Sequence, residues 1–128
     1  MYVAAFQFQT QNNQWLTPIK KMYPYEKDLL QHISDKLRRQ FSDRIVSVHA
    51  FGSRVRGDHD TWSDFDVLVV VKDKDPLLES GIIGIFVEEE MLAGASFTPV
   101  VKDIQAFEME KKYHTPFYES IIAEGILV

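Results

Sequence analysis

The segment Val67-Leu68-Val69-Val70-Val71 constrains this chain more than any other part of it. Successive side chains of a strand point to opposite faces, so five apolar residues in a row need cover on both sides. A strand with one wet face would alternate, and a run this short is no membrane span. The sheet that holds it must therefore be covered on both faces, and the rest of the chain has to supply the cover.

Helical patterns lie on either side of the run. Residues 25–41, "YEKDLLQHISDKLRRQF", place Leu29, Leu30, Ile33, Leu37 and Phe41 at helical spacing. Ile45–Phe51 follows as a strand rich in alternating β-branched residues, and Gly52 ends it. After the apolar strand, 75–94 reads as a helix with Pro76 near its start and Gly94 at its end. Ala95–Val101 is a short strand, and Pro99 assigns it to an edge because proline has no N–H to give. Residues 103–112, capped by Asp103, and 116–125 form two short helices. At the other end, "FQFQTQNNQWLTPIK" is either a hairpin turning at Gln11–Gln14 or a loose arm spanning residues 1–22. The order helix, strand, loop, strand, helix, strand, helix, helix predicts one α/β (α+β) domain over residues 1–128, a small mixed β-sheet with flanking helices.

Composition removes several classes of function. The absence of cysteine excludes disulfides, thiolate catalysis and cysteine-ligated zinc. The net charge of −5, with acids and bases interspersed, argues against a nucleic-acid partner held by a broad basic surface. The N-terminus lacks a basic stretch followed by a long apolar core, and no apolar run approaches a membrane span. The expectation is a cytoplasmic protein with no membrane partner; self-association is left open.

Chemistry concentrates just before the apolar strand, in "FGSRVRGDHDTWSDFD" (51–66). Asp64 and Asp66 are two apart, so at a strand start they share a face at roughly 6.5–7 Å along the chain. Two carboxylates so placed can converge on a hard cation such as Mg²⁺. Gly52 and Ser53 stand where a strand gives way to a helical turn, a place where bare backbone and N–H groups approach an anion. Arg54 and Arg56 add guanidinium forks suited to phosphate. Anion cradle and paired acids together point to a metal–nucleotide site. Other polar residues carry blander readings: His32 and His49 as structural histidines, Trp62 as a loop anchor, and Glu88, Glu89 and Glu90 as parts of a helix.

Gly52-Ser53, ten residues, then Asp64-Phe65-Asp66 resembles the G-S-x10-D-x-D signature of the DNA polymerase β-like nucleotidyltransferase superfamily. "FGSRVRGDHDTWSDFDVLVVV" is similar in particular to its minimal nucleotidyltransferase domains, with Val55 where alanine is usual. The ending "FTPVVKDIQAFEMEKKYHTPFYESIIAEGILV" is similar to theirs as well, so the resemblance covers residues 44–128. It implies the nucleotidyltransferase fold and transfer of a nucleoside monophosphate, AMP from Mg-ATP or the equivalent from another nucleoside triphosphate, to a hydroxyl of a protein or small molecule. It assigns Asp64 and Asp66 to one or two Mg²⁺ ions, and Gly52 and Ser53, with Arg54 and Arg56 beside them, to the triphosphate. It also implies a small helical partner protein, to which such domains act as antitoxin.

One part of the pattern is missing. Active members supply a third carboxylate from the neighbouring strand, and alignment on Pro99-Val100-Val101 puts Ser96 there, with Thr98 and Val100 on the same face. The alternative is therefore a catalytically weakened module that binds a nucleotide or a partner. The retained Asp-x-Asp favours the enzyme.

Overall fold

The computed structural model describes residues 8–9, 15–16, 24–52, 55 and 64–128. Near the N-terminus two short strands, β1 (Phe8–Gln9) and β2 (Trp15–Leu16), pair antiparallel with Phe8 opposite Leu16. Helix α1 (Pro24–Phe41) follows, and a 3₁₀ turn at Ser42–Arg44 leads into β3 (Ile45–Phe51). Then come β4 (Phe65–Val71), α2 (Pro76–Ala93), β5 (Phe97–Asp103), α3 (Ile104–Lys112), α4 (Pro116–Glu124) and β6 (Ile126–Leu127).

The main sheet has the order β5-β4-β3-β6. β3 and β4 are antiparallel, β4 and β5 are parallel across the α2 crossover, and β6 is antiparallel to β3. The mixed sheet with flanking helices is the architecture expected from the sequence. β4 lies inside it, and Val67 through Val71 are each 0% exposed. Burial of each such side chain is worth about 1.5–3 kcal/mol, so this strand is the main apolar anchor of the sheet.

The strand period divides the core into two layers. Phe65, Val67, Val69 and Val71 point to one face and pack with Leu30, Ile33 and Leu37 of α1 and Leu78, Ile82 and Phe86 of α2. Leu68 and Val70 point to the other, where Phe107 of α3 and Ile121 of α4 cover them, with Phe51, Val100 and Phe117 alongside. Both faces of the apolar strand are covered, one by each helix pair. The helix ends follow their cap residues. Asp75 accepts the Leu78 N–H at 2.8 Å ahead of Pro76, and Gly94 closes α2 in the left-handed region at φ 71°. Asp103 caps α3 through Gln105, and Thr115 caps α4 through Tyr118.

β5 sits at the sheet edge, as Pro99 requires. On that strand the Phe97 N–H goes to Glu90 Oε1 at 2.6 Å, which ties the end of α2 to the strand. The final strand, β6, was not expected from the sequence. Ile126 and Leu127 pair with Ala50 and His49, and the Val128 N–H reaches Val48 O at 2.9 Å. Among the described residues no helix is long and apolar enough to cross a membrane.

Candidate functional site

The site lies where β3 ends and β4 begins. Asp66 is opposite Phe51 on β3 and level with Thr98 on β5. Since Phe65 and Phe97 pack together on the α1/α2 face, with ring centroids 5.6 Å apart, Asp66 and Thr98 point to the α3/α4 face. They stand on it just beyond Leu68 and Val70, past the end of the apolar cover. Asp64, two residues earlier, is exposed, and its Oδ2 accepts a hydrogen bond from Thr98 Oγ1 at 3.1 Å. The structure thus brings Asp64, Asp66 and Thr98 together, the two acids by strand alternation and the threonine by strand pairing.

Gly52 completes the described part of the site. Its φ is +85°, and the Val55 N–H returns to Gly52 O at 3.2 Å, so the chain turns sharply as it leaves β3. A Cβ on Gly52 would lie 3.0 Å from Asp66 Cγ, and closer still to Oδ2. The lack of a side chain here lets the Asp66 carboxylate approach the main chain. Val55, buried at 6% exposure, anchors the turn into the core on the α1/α2 side. Ser53, Arg54 and Arg56 lie outside the described residues, as do Asp58, His59, Asp60 and Trp62.

Among the described residues, the carboxylates that could have joined the pair are engaged elsewhere. Glu89, 4% exposed, bridges α2 to α1 through Lys36 at 3.2 Å and His32 at 3.3 Å. The hydrogen bond to Glu89 raises the Lys36 ammonium above its ordinary value; burial offsets part of this and Glu88 adds to it. Glu90 holds the Phe97 amide. Asp103 accepts the Lys74 and Gln105 N–H groups, which hold its carboxyl below the usual range. Among the described residues no group of three or more histidines or carboxylates gathers as for a metal ion. Ser96, exposed just before β5, receives the Phe65 N–H on its carbonyl at 2.9 Å, which places a hydroxyl residue at the level of Asp64. His49 is a half-buried structural histidine: burial lowers its pKa, its Nε2 is 2.9 Å from Ser47 Oγ, and its ring packs near Phe107.

What this arrangement can hold follows from its chemistry. Asp64 and Asp66 offer hard oxygen donors on one face, the donor type Mg²⁺ takes together with phosphate oxygens. The Asp66 carboxylate lies against the bare backbone of Gly52, in the space that a Cβ there would take. The described residues, by their donor chemistry, fit a divalent cation.

Residues 30–126 match the sequence profile described as Nucleotidyltransferase domain. The chain belongs to the nucleotidyltransferase domain family. Within this nucleotidyltransferase domain, a 55-residue stretch is 42% identical to a Methanocaldococcus jannaschii protein provisionally named a protein adenylyltransferase. That match covers 43% of this chain and 48% of the relative, so the chain spans about half the length of that protein. The domain is also similar to a crystal structure of a provisionally named nucleotidyltransferase from Sulfolobus solfataricus, at 22% identity and a TM-score of 0.48, over 78% of this chain and 76% of that one. A crystal structure of a toxin–antitoxin with AMP-PNP is similar at 15% identity and a TM-score of 0.49, over 76% of this chain and 70% of that one.

Thr98 is the site residue that sequence reasoning passed over. Its face was legible from alternation with Ser96 and Val100. Its level beside Asp66 was not, because the register of β5 against β4 is set by their pairing.

Proposed function

We propose that this domain transfers AMP from ATP to a hydroxyl group of a protein acceptor. The observation that carries the reading is the placement of Asp64 and Asp66 on one sheet face beside the side-chain-free backbone of Gly52. In this reading Asp64 and Asp66 hold Mg²⁺, which when bound neutralises triphosphate charge. Gly52 and Ser53 receive the phosphates, and Arg54 and Arg56 steady their oxygens. The acceptor oxygen attacks the α-phosphorus, the bond from that phosphorus to the oxygen bridging to the β-phosphate breaks, pyrophosphate leaves with that oxygen, and the acceptor's hydroxyl proton passes to solvent. The name of the archaeal relative supports AMP as the group and a protein as the acceptor. The helical partner implied by the family resemblance is the candidate for that acceptor.

A second reading has its own support. Hydroxyl residues, Thr98 on the strand neighbouring the two acids and Ser96 just before it, stand in place of a third carboxylate. That favours a module that keeps nucleotide binding with transfer weakened.

The deciding experiment is transfer of label from α-phosphate-labelled ATP, with Mg²⁺ or Mn²⁺ and a lysate of the host cell as acceptor, beside an Asp64→Asn/Asp66→Asn control. Label on a protein band with the wild type and not the control supports the transferase and gives the acceptor's mass. ATP binding without transfer supports the second reading. Neither binding nor transfer, across several triphosphates, rejects both.

A further inference from the structure

We infer that Thr98 is a positioning residue for the cation site, setting the orientation of the Asp64 carboxylate through its hydroxyl. The inference rests on the reading of Asp64 and Asp66 as the cation's ligands.

An exposed aspartate at the very start of a strand has a broad choice of carboxylate orientation, because rotation about its last torsion is soft. Asp64 is such a residue, placed one position before β4 begins. Thr98 is the opposite case. It lies within β5, level with Asp66, and its branched Cβ restricts its own rotation. The strand beneath it is held in parallel register from the Phe65–Phe97 pair to the Val71–Asp103 pair. The Thr98 hydroxyl therefore donates to Asp64 Oδ2, with 3.1 Å between the oxygens, from a stiff base. One oxygen of Asp64 is engaged, and with it the plane of the carboxylate.

The hydroxyl also suits the electrostatics. Asp64 and Asp66 already repel each other across one face, and a neutral donor beside them relieves that repulsion where a third acid would increase it. Groups that hold a metal's ligands in orientation are worth about 10–100-fold in metal affinity, and an exposed bond belongs at the lower end.

The test is a Mn²⁺ titration of the nucleotide-free protein, with free Mn²⁺ read by electron paramagnetic resonance, on wild type, Thr98→Val, Thr98→Ser and Asp64→Asn. The expected result is that Thr98→Val weakens Mn²⁺ binding about tenfold. Thr98→Ser, which restores the donor, stays within about twofold of wild type, and the melting temperatures of both remain close to wild type. Thr98→Ala serves as the second deletion variant if the valine protein does not fold. Mn²⁺ binding that is lost in Asp64→Asn but unchanged in Thr98→Val overturns the role of Thr98 and leaves the cation site standing. A fall in melting temperature for Thr98→Val without a change in Mn²⁺ affinity overturns it too, making the bond a strand-to-strand tie. No Mn²⁺ binding by the wild type overturns the cation site itself, and the inference with it.

Discussion

Gly52→Ala perturbs the fold and the site at the same point. Gly52 sits at φ +85°, where an L-residue with a Cβ is strained by about 1–2 kcal/mol. The new methyl would also stand 3.0 Å from Asp66 Cγ and 3.2 Å from Asp66 Cβ, with Oδ2 nearer still. Neither strand can move away easily, because Phe51 and Asp66 are paired in the ladder. The Asp66 side chain must rotate, which adds about 0.5–1.5 kcal/mol for a displaced rotamer. The sum is about 1.5–3.5 kcal/mol, or a melting temperature lower by roughly 5–14 °C for a domain of this size. Thermal unfolding of wild type, Gly52→Ala, Asp66→Ala and the double variant separates the two parts. In the Asp66→Ala background the glycine substitution should cost the backbone strain and the remaining Cβ contact at 3.2 Å but not the carboxylate clash, so the cycle should show a coupling of about 1 kcal/mol. An additive cycle would refute the close approach of Asp66 to Gly52. A loss below about 0.5 kcal/mol for Gly52→Ala alone would refute the left-handed turn as well.

The other predictions use features away from that contact. Gly84 lies exposed within α2 with nothing within 4 Å of a Cβ added there, so Gly84→Ala should stabilise by about 0.5–1 kcal/mol and raise the melting temperature by a few degrees. Ser96→Asp should lower the melting temperature slightly in chelator, since one exposed like-charge pair costs about 1 kcal/mol or less, and should raise it relative to wild type once Mn²⁺ is added; equal shifts in both conditions would count against a cation at this face. The Leu78 N–H and then Arg44 hold the Asp75 carboxyl below its ordinary range, and the Lys74 and Gln105 N–H groups do the same for Asp103. A depressed folded-state pKa gives stability that is full above the unfolded value and lost as pH falls through the folded one. Melting temperatures should therefore drop below about pH 4, and Asp75→Asn/Asp103→Asn should flatten that drop.

Local pattern carried much of this protein. The apolar run at Val67–Val71 implied cover on both faces, and the structure supplies it from α1 and α2 on one side and α3 and α4 on the other. Pro76, Gly94 and Asp103 marked helix ends because capping is a matter of a few neighbouring residues. Pro99 marked an edge strand because of one missing N–H. The shared face of Asp64 and Asp66 followed from strand alternation alone. What depended on partners distant in the chain could not be read this way. Two residues, Ile126 and Leu127, carry no strand period of their own, and they become β6 only because β3 presents a free edge to them. Glu90 reads as another helix acid until α2 delivers it to the Phe97 amide. The close approach of Asp66 to Gly52 needs β3 and β4 in one register, and the bond from Thr98 to Asp64 needs β4 and β5 in another. Periodicity is a property of one segment and is legible in it. Register belongs to a pair of strands and is set by burial across the whole sheet, so only the tertiary structure decided which side chains meet at the site.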